Sequence, residues 1–126
     1  MQTTAAISGV GQLARGVRDI TKSELWYRET LGLPHLYTFG SLAFFDCGGL
    51  RLMLSQVEEI KDESIVYFRT ANILKACEEM TSKGVKFINA PHLIHTHADG
   101  TEEWMAFFND LEGRPLALMS QVAPKK

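Results

Sequence analysis

The stretch "EEWMAFFNDLEGRPLALM", residues 102–119, reads as two strands hinged on the turn "DLEG", with the second strand running on to Gln121. Working back from it, "VKFINAPHLIHTH" is expected to form one extended strand, with Pro91 marking a bulge or edge. Asp99-Gly100 supplies a two-residue turn between that strand and the first of the pair. Further upstream, Asn72 is placed to cap the helix "ILKACEEMTSKG", Gly84 ends it, and "SIVYFRT" is a strand. The order is therefore strand, helix and three strands.

The first half of the chain has the same order. "VGQLARGV" alternates like a strand, and Asp19 caps the helix "TKSELWYRETLG", which Gly32 stops. Leu25, Trp26 and Leu31 are expected to form the apolar side of that helix, leaving Lys22, Arg28 and Glu29 to solvent. Three short strands follow, "LPHLYTF", "SLAFFDC" and "LRLMLS", separated by Gly40 and by Gly48-Gly49. After the charged linker "QVEEIKDE" the pattern restarts. Two βαβββ units of about 60 residues, module one near 8–56 and module two near 63–122, suggest an internal duplication within one α+β domain.

Composition narrows the function classes. The chain has 126 residues, 45% of them hydrophobic and 22% charged, with only 4 prolines, as in an ordinary globular protein. A net charge of -2 without a basic cluster argues against nucleic acid as a partner. No run approaches the roughly 18 apolar residues of a membrane span, and "MQTTAAISGV" lacks the pattern of a signal peptide, so no membrane partner and a cytoplasmic location are expected. Cys47 and Cys77 fit reduced, buried thiols better than a disulfide framework.

Three of the 4 histidines, His92, His95 and His97, crowd the hairpin and raise the question of a metal. With a two-residue turn at Asp99-Gly100, His97 faces Glu102 and His95 faces Trp104. Alternation then puts His95 and His97 on one face and His92 on the other, unless Pro91 or a bulge resets the register. His95, His97 and Glu102 would make a two-histidine, one-carboxylate set; the plainer reading is a rim ion pair between His97 and Glu102.

Taken together, "VRDITKSELWYRETLGL", "GGLRLML", "TANILKACEEMTSKGVKF" and "EEWMAFFNDLEGRPLALM" resemble the vicinal oxygen chelate superfamily of glyoxalase I, bleomycin-resistance proteins and extradiol dioxygenases. The resemblance spans about Gly11 to Met119. It implies two βαβββ modules forming a cupped, partly closed mixed barrel, often as a homodimer, with the site on the concave face. It also implies four metal-ligand positions, which fall here on Gln12, Met53, Ile65 and Ala117. Only Gln12 is an acceptable oxygen donor, so the usual metal site is not expected, and neither is a cofactor. A divalent metal would need the histidine hairpin instead.

Residues in phase with those positions point into the cup: Ala14, Arg51, Ser55, Tyr67, Arg69, Pro115 and Met119, while Leu52, Leu54, Val66, Phe68, Leu116 and Leu118 turn to the helices. Arg51 and Arg69 can grip an anion through the guanidinium fork, or turn instead to Asp46 or Glu63. Tyr67 and Trp104 can stack on a ligand ring, and His95 is the best general base in the chain. The ligand-binding set expected is Gln12, Arg51, Met53, Tyr67, Arg69, Trp104 and Ala117, with His95 as a catalytic candidate. The function expected is metal-independent binding of a small aromatic or anionic organic molecule. The alternative is an enzyme (lyase, isomerase or dioxygenase), either metal-dependent through Gln12 and the His95/His97 hairpin or metal-free with His95 as base.

Overall fold

A computed structural model describes residues 10–60 and 65–124, in two compact units divided between Lys61 and Asp62. The outer module limits near 8 and 63, Glu63, and Ser64 at the expected start of a strand lie outside the described residues.

The first unit contains β1 (Gln12–Val17), α1 (Ile20–Glu29), β2 (His35–Phe39), β3 (Leu42–Cys47) and β4 (Leu50–Gln56). Its sheet has the order β1-β4-β3-β2, with β1 and β4 parallel and the other pairings antiparallel. Asp19 sits in extended backbone and accepts the Lys22 amide hydrogen at 3.0 Å, satisfying one donor that the helix start would otherwise leave open. The buried side of α1 is set by Ser23 and Tyr27 rather than by Leu25, which is 52% exposed. Four-residue spacing aligns Ser23 and Tyr27 on one stripe, and the small serine lets the helix approach the sheet. Tyr27 then meets Phe45 at 6.0 Å between ring centroids, among buried Val17, Ala43, Leu52 and Leu54.

The second unit repeats the topology with β5 (Tyr67–Arg69), α2 (Ile73–Ser82), β6 (His92–Thr96), β7 (Glu102–Asn109) and β8 (Pro115–Val122), in the order β5-β8-β7-β6. Asn72 caps α2 by accepting from the Lys75 amide at 3.1 Å. The helix closes where the amides of Gly84 and Val85 return to the carbonyls of Thr81 and Met80. Ile73 and Cys77 of α2 are buried, as are Ala106, Phe108, Leu116 and Leu118 of the sheet.

Several expectations need correction. Each sheet is open, with two edge strands, and is not closed into a barrel. The segment from Val85 to His97 is not one strand: an isolated bridge joins Phe87 to Phe108, and pairing resumes only at His92. Pro91, which has no amide hydrogen to give a ladder, stands at the break. Strand β5 is shorter than the "SIVYFRT" run, although the Val66 carbonyl still accepts from the Ala117 amide at 3.1 Å. Among the described residues no helix is long and apolar enough to cross a membrane.

Candidate functional site

Strand alternation gives each sheet one face packed on its helix and one face turned away from it. In the first unit Leu52 and Leu54 are buried on the helix side, which leaves Gln12, Arg51 and Met53 on the other face. Register places Phe44 opposite Met53, and Tyr37 opposite Phe44, on that same face. These side chains form a row. Gln12 Oε1 accepts from Arg51 Nε at 2.7 Å, the Arg51 guanidinium lies 5.1 Å from the Phe44 ring centre, and Tyr37 stacks on Phe44 at 4.5 Å. Gln12 Nε2 is also 3.7 Å from the Met53 sulfur.

Asp46 lies directly across from Arg51, yet no ion pair joins them among the described residues. The Asp46 carboxylate instead accepts the Gly49 amide at 3.0 Å and caps the turn between β3 and β4. A positive group is thereby held among aromatic rings with its terminal nitrogens left available. The burial of the neighbouring Cys47 thiol, followed by the charge of Asp46, pushes its pKa upward, which suppresses the nucleophilic thiolate.

In the second unit Tyr67 pairs with Ala117, and Ala117 with Phe107. The Tyr67 and Phe107 rings meet edge to face at 6.0 Å, so they lean together across the strand between them. That accounts for Ala117 being fully buried on this face while Tyr67 is 43% exposed. Arg69 and Met119 pair two residues further along, on the same face. Arg69 is exposed and makes no ion pair among the described residues.

The hairpin differs from expectation in register. The loop holds three residues, Ala98, Asp99 and Gly100: the His97 amide donates to the Thr101 carbonyl at 2.8 Å, and the Gly100 amide to the His97 carbonyl at 2.9 Å. Gly100 takes φ of 93°, the left-handed conformation such a loop requires at its last position. Consequently His95 faces Glu103, not Trp104, and His97 bonds Glu103 at 2.7 Å, not Glu102. Gln121 donates to the same Glu103 oxygen at 2.7 Å. The Gln121 hydrogen bond, and then that from His97, holds the Glu103 carboxyl below its usual range.

Trp104 pairs with Leu93 and Ser120 and is in phase with buried Ala106 and Phe108. It therefore lies on the face opposite Tyr67, and its indole donates to Glu102 at 2.9 Å. A bulge between Leu93 and His95 inserts one residue and returns His92, His95 and His97 to a common face. The His95 and His97 rings meet at 4.6 Å, and His92 Nδ1 lies 3.1 Å from the Ala90 carbonyl oxygen. Among the described residues no three His, Cys, Asp or Glu side chains converge to hold a metal.

The four positions implied for a metal do not fit one either. Gln12 has given its oxygen to Arg51, whose charge would repel a cation, and Met53 offers a soft thioether. Ile65 and Ala117 carry no donor atom. Sequence reasoning missed Phe44, Tyr37 and Gln121. The signal for Phe44 was present: pairing across the Gly48-Gly49 turn matches Cys47 with Leu50, and therefore Phe44 with Met53.

Comparison with known proteins agrees with this architecture. The chain resembles an integron cassette protein from V. cholerae (TM-score 0.73, 20% identity, covering 94% of this chain and 98% of that one). It also resembles a lactoylglutathione lyase from Agrobacterium tumefaciens (0.67, 17%, covering 92% and 96%). A glyoxalase/bleomycin resistance protein/dioxygenase from Nocardioides is similar as well (0.70, 17%, covering 98% and 89%). At these identities the likeness concerns the fold. No curated protein matches the chain in sequence. A family model does match, over residues 9–118, and with two βαβββ units in place the chain belongs to the Glyoxalase/Bleomycin resistance protein/Dioxygenase superfamily.

Proposed function

We propose that this chain binds a small aromatic or anionic organic molecule without the superfamily's usual metal. One observation carries the reading: the sheet face turned from the helix sets the Arg51 guanidinium over the Phe44 ring, on which Tyr37 stacks, and in the second unit Arg69 shares the face of the Tyr67–Phe107 pair. Convergent polar groups on an apolar surface are what a small-molecule site needs. The test is a thermal-shift screen of aromatic acids, amines and neutral aromatics. Hits that are lost in Arg51→Ala or Tyr67→Ala support the reading, and hits unaffected by both count against it.

Exposed Leu36 and Phe39 on edge strand β2, and Leu93 and Ile94 on edge strand β6, support a homodimer. Light scattering that gives the monomer mass at micromolar concentration would remove that part. A second reading, a metal-free enzyme with His95 as general base, draws on the bulge that gathers the three histidines on one face. Turnover of any substrate that survives His95→Ala unchanged would eliminate it.

A further inference from the structure

We propose that the row Gln12–Arg51–Phe44–Tyr37 is a preorganised fork for the carboxylate of a small monoanionic ligand with an apolar body, a specification that rests on the binding reading above. The geometry of Arg51 motivates it. A guanidinium presents two-hydrogen edges that match a carboxylate. Here the Nε–H is spent on Gln12 Oε1 at 2.7 Å, which fixes the head group and leaves the edge between Nη1 and Nη2 for a ligand. The contact with Phe44, 5.1 Å from guanidinium carbon to ring centre, restrains the same group from its face. Arginine normally loses much rotamer freedom on binding, and two contacts made in advance reduce that loss.

Charge selects the anion. Asp46 lies across the strand pair from Arg51, so a single guanidinium charge works against a nearby carboxylate. That balance accommodates one negative charge better than two, favouring a carboxylate over a phosphate or phosphonate dianion. Beside the fork Tyr37, 46% exposed, offers the apolar surface and is held there by stacking on Phe44, which is itself buried. Gln12 occupies a position where metal-dependent relatives place a ligand, and in this chain its oxygen orients a guanidinium instead. Gln12 is thus a positioning residue, and Arg51 makes the contact.

The experiment titrates the full chain, labelled with nitrogen-15, with 3-phenylpropanoate, 3-phenylpropanamide and 2-phenylethylphosphonate. It follows the backbone amides and the Arg51 Nε–H resonance. The expected result is saturable binding of the carboxylate, with the amide and the phosphonate each about tenfold weaker or more. Arg51→Lys, which keeps the charge but loses the fork, should weaken the carboxylate by a similar factor with the amide spectrum otherwise retained. Gln12→Leu should weaken it several-fold and speed exchange of the Arg51 Nε–H with water, whereas Gln12→Asn should recover part of the affinity. An amide or phosphonate that binds as tightly as the carboxylate, or a carboxylate affinity unchanged in Arg51→Lys, overturns the proposal while leaving small-molecule binding intact. Carboxylate binding absent up to the millimolar range also overturns it. The broader reading fails separately, when no aromatic compound of any charge in the thermal-shift screen gives a hit.

Discussion

Removing one hydroxyl from the first unit tests how β1 is held in phase. Tyr27 is 1% exposed, and its oxygen accepts from Arg15 Nε at 3.1 Å; Arg15 itself is 6% exposed. Arg15 stands on the helix side of β1, so this bond helps fix the phase that turns Gln12 to the opposite face. In Tyr27→Phe the ring still fills its place against Phe45, but the bond from Arg15 Nε is lost where water is largely excluded. The expected loss is about 1–3 kcal/mol, the scale of one hydrogen bond made by a charged group. For a domain of this size that corresponds to a fall in Tm of roughly 3–12 °C. Arg15→Met provides the second edge of a double-mutant cycle. Without the guanidinium this hydrogen bond is already gone, so the double variant should be more stable than the summed losses imply, by about 1 kcal/mol. Urea unfolding of the four proteins at one pH gives the coupling. Additivity within about 0.5 kcal/mol would refute the argument that this hydrogen bond carries energy.

Other expectations follow from the same geometry. Gly100→Ala forces a side chain into left-handed backbone and brings its Cβ to 2.8 Å from the Pro124 Cβ, so urea unfolding should show a loss of about 1–2 kcal/mol or more. Glu103 has a lowered pKa in the folded chain, so its contribution is full above the ordinary carboxylate pKa and fades as pH falls through the folded value. Below the ordinary carboxylate pKa the stability gap between the parent and Glu103→Gln should therefore shrink as pH falls, and a gap that widened there would contradict the assigned network. Asn72→Ala removes the acceptor for the Lys75 amide, and thermal unfolding should register about 1 kcal/mol of destabilisation. Cys47 should alkylate more slowly than free cysteine at neutral pH, since burial holds its thiol protonated.

The candidate site was only partly legible. Arg51, Gln12 and Met53 could be placed on one face because strands alternate strictly and their helix-side neighbours Leu52 and Leu54 are apolar. The hairpin was misjudged through one residue of loop length: three loop residues in place of two moved His97 from Glu102 to Glu103 and separated His95 from Trp104. Trp104 itself lies on the helix side because β7 pairs with β8 in a register that sets it opposite buried Ser120, in phase with Ala106 and Phe108. The bulge at Leu93 acted in the opposite sense on His92. Neither a loop of that type nor a bulge is written in hydrophobic pattern, since both depend on which backbone pairing lets the core close.

The βαβββ order, the repeat, the caps at Asp19 and Asn72, and the sides on which the leucines of β4 and β8 are buried were all determined by the sequence itself. Local propensity, capping chemistry and a period of two act over a few residues and leave their record in neighbouring letters. What only the tertiary structure decided was cross-strand partnership: Gln12 bonded to Arg51, Asp46 diverted to Gly49, Tyr67 and Phe107 closed over Ala117. Gln12 and Arg51, like Tyr67 and Phe107, are far apart in the chain, and Asp46 had Arg51 across the strand pair as well as Gly49 in its own turn. Competition among them is settled by register and packing, which the order of residues constrains but does not spell out.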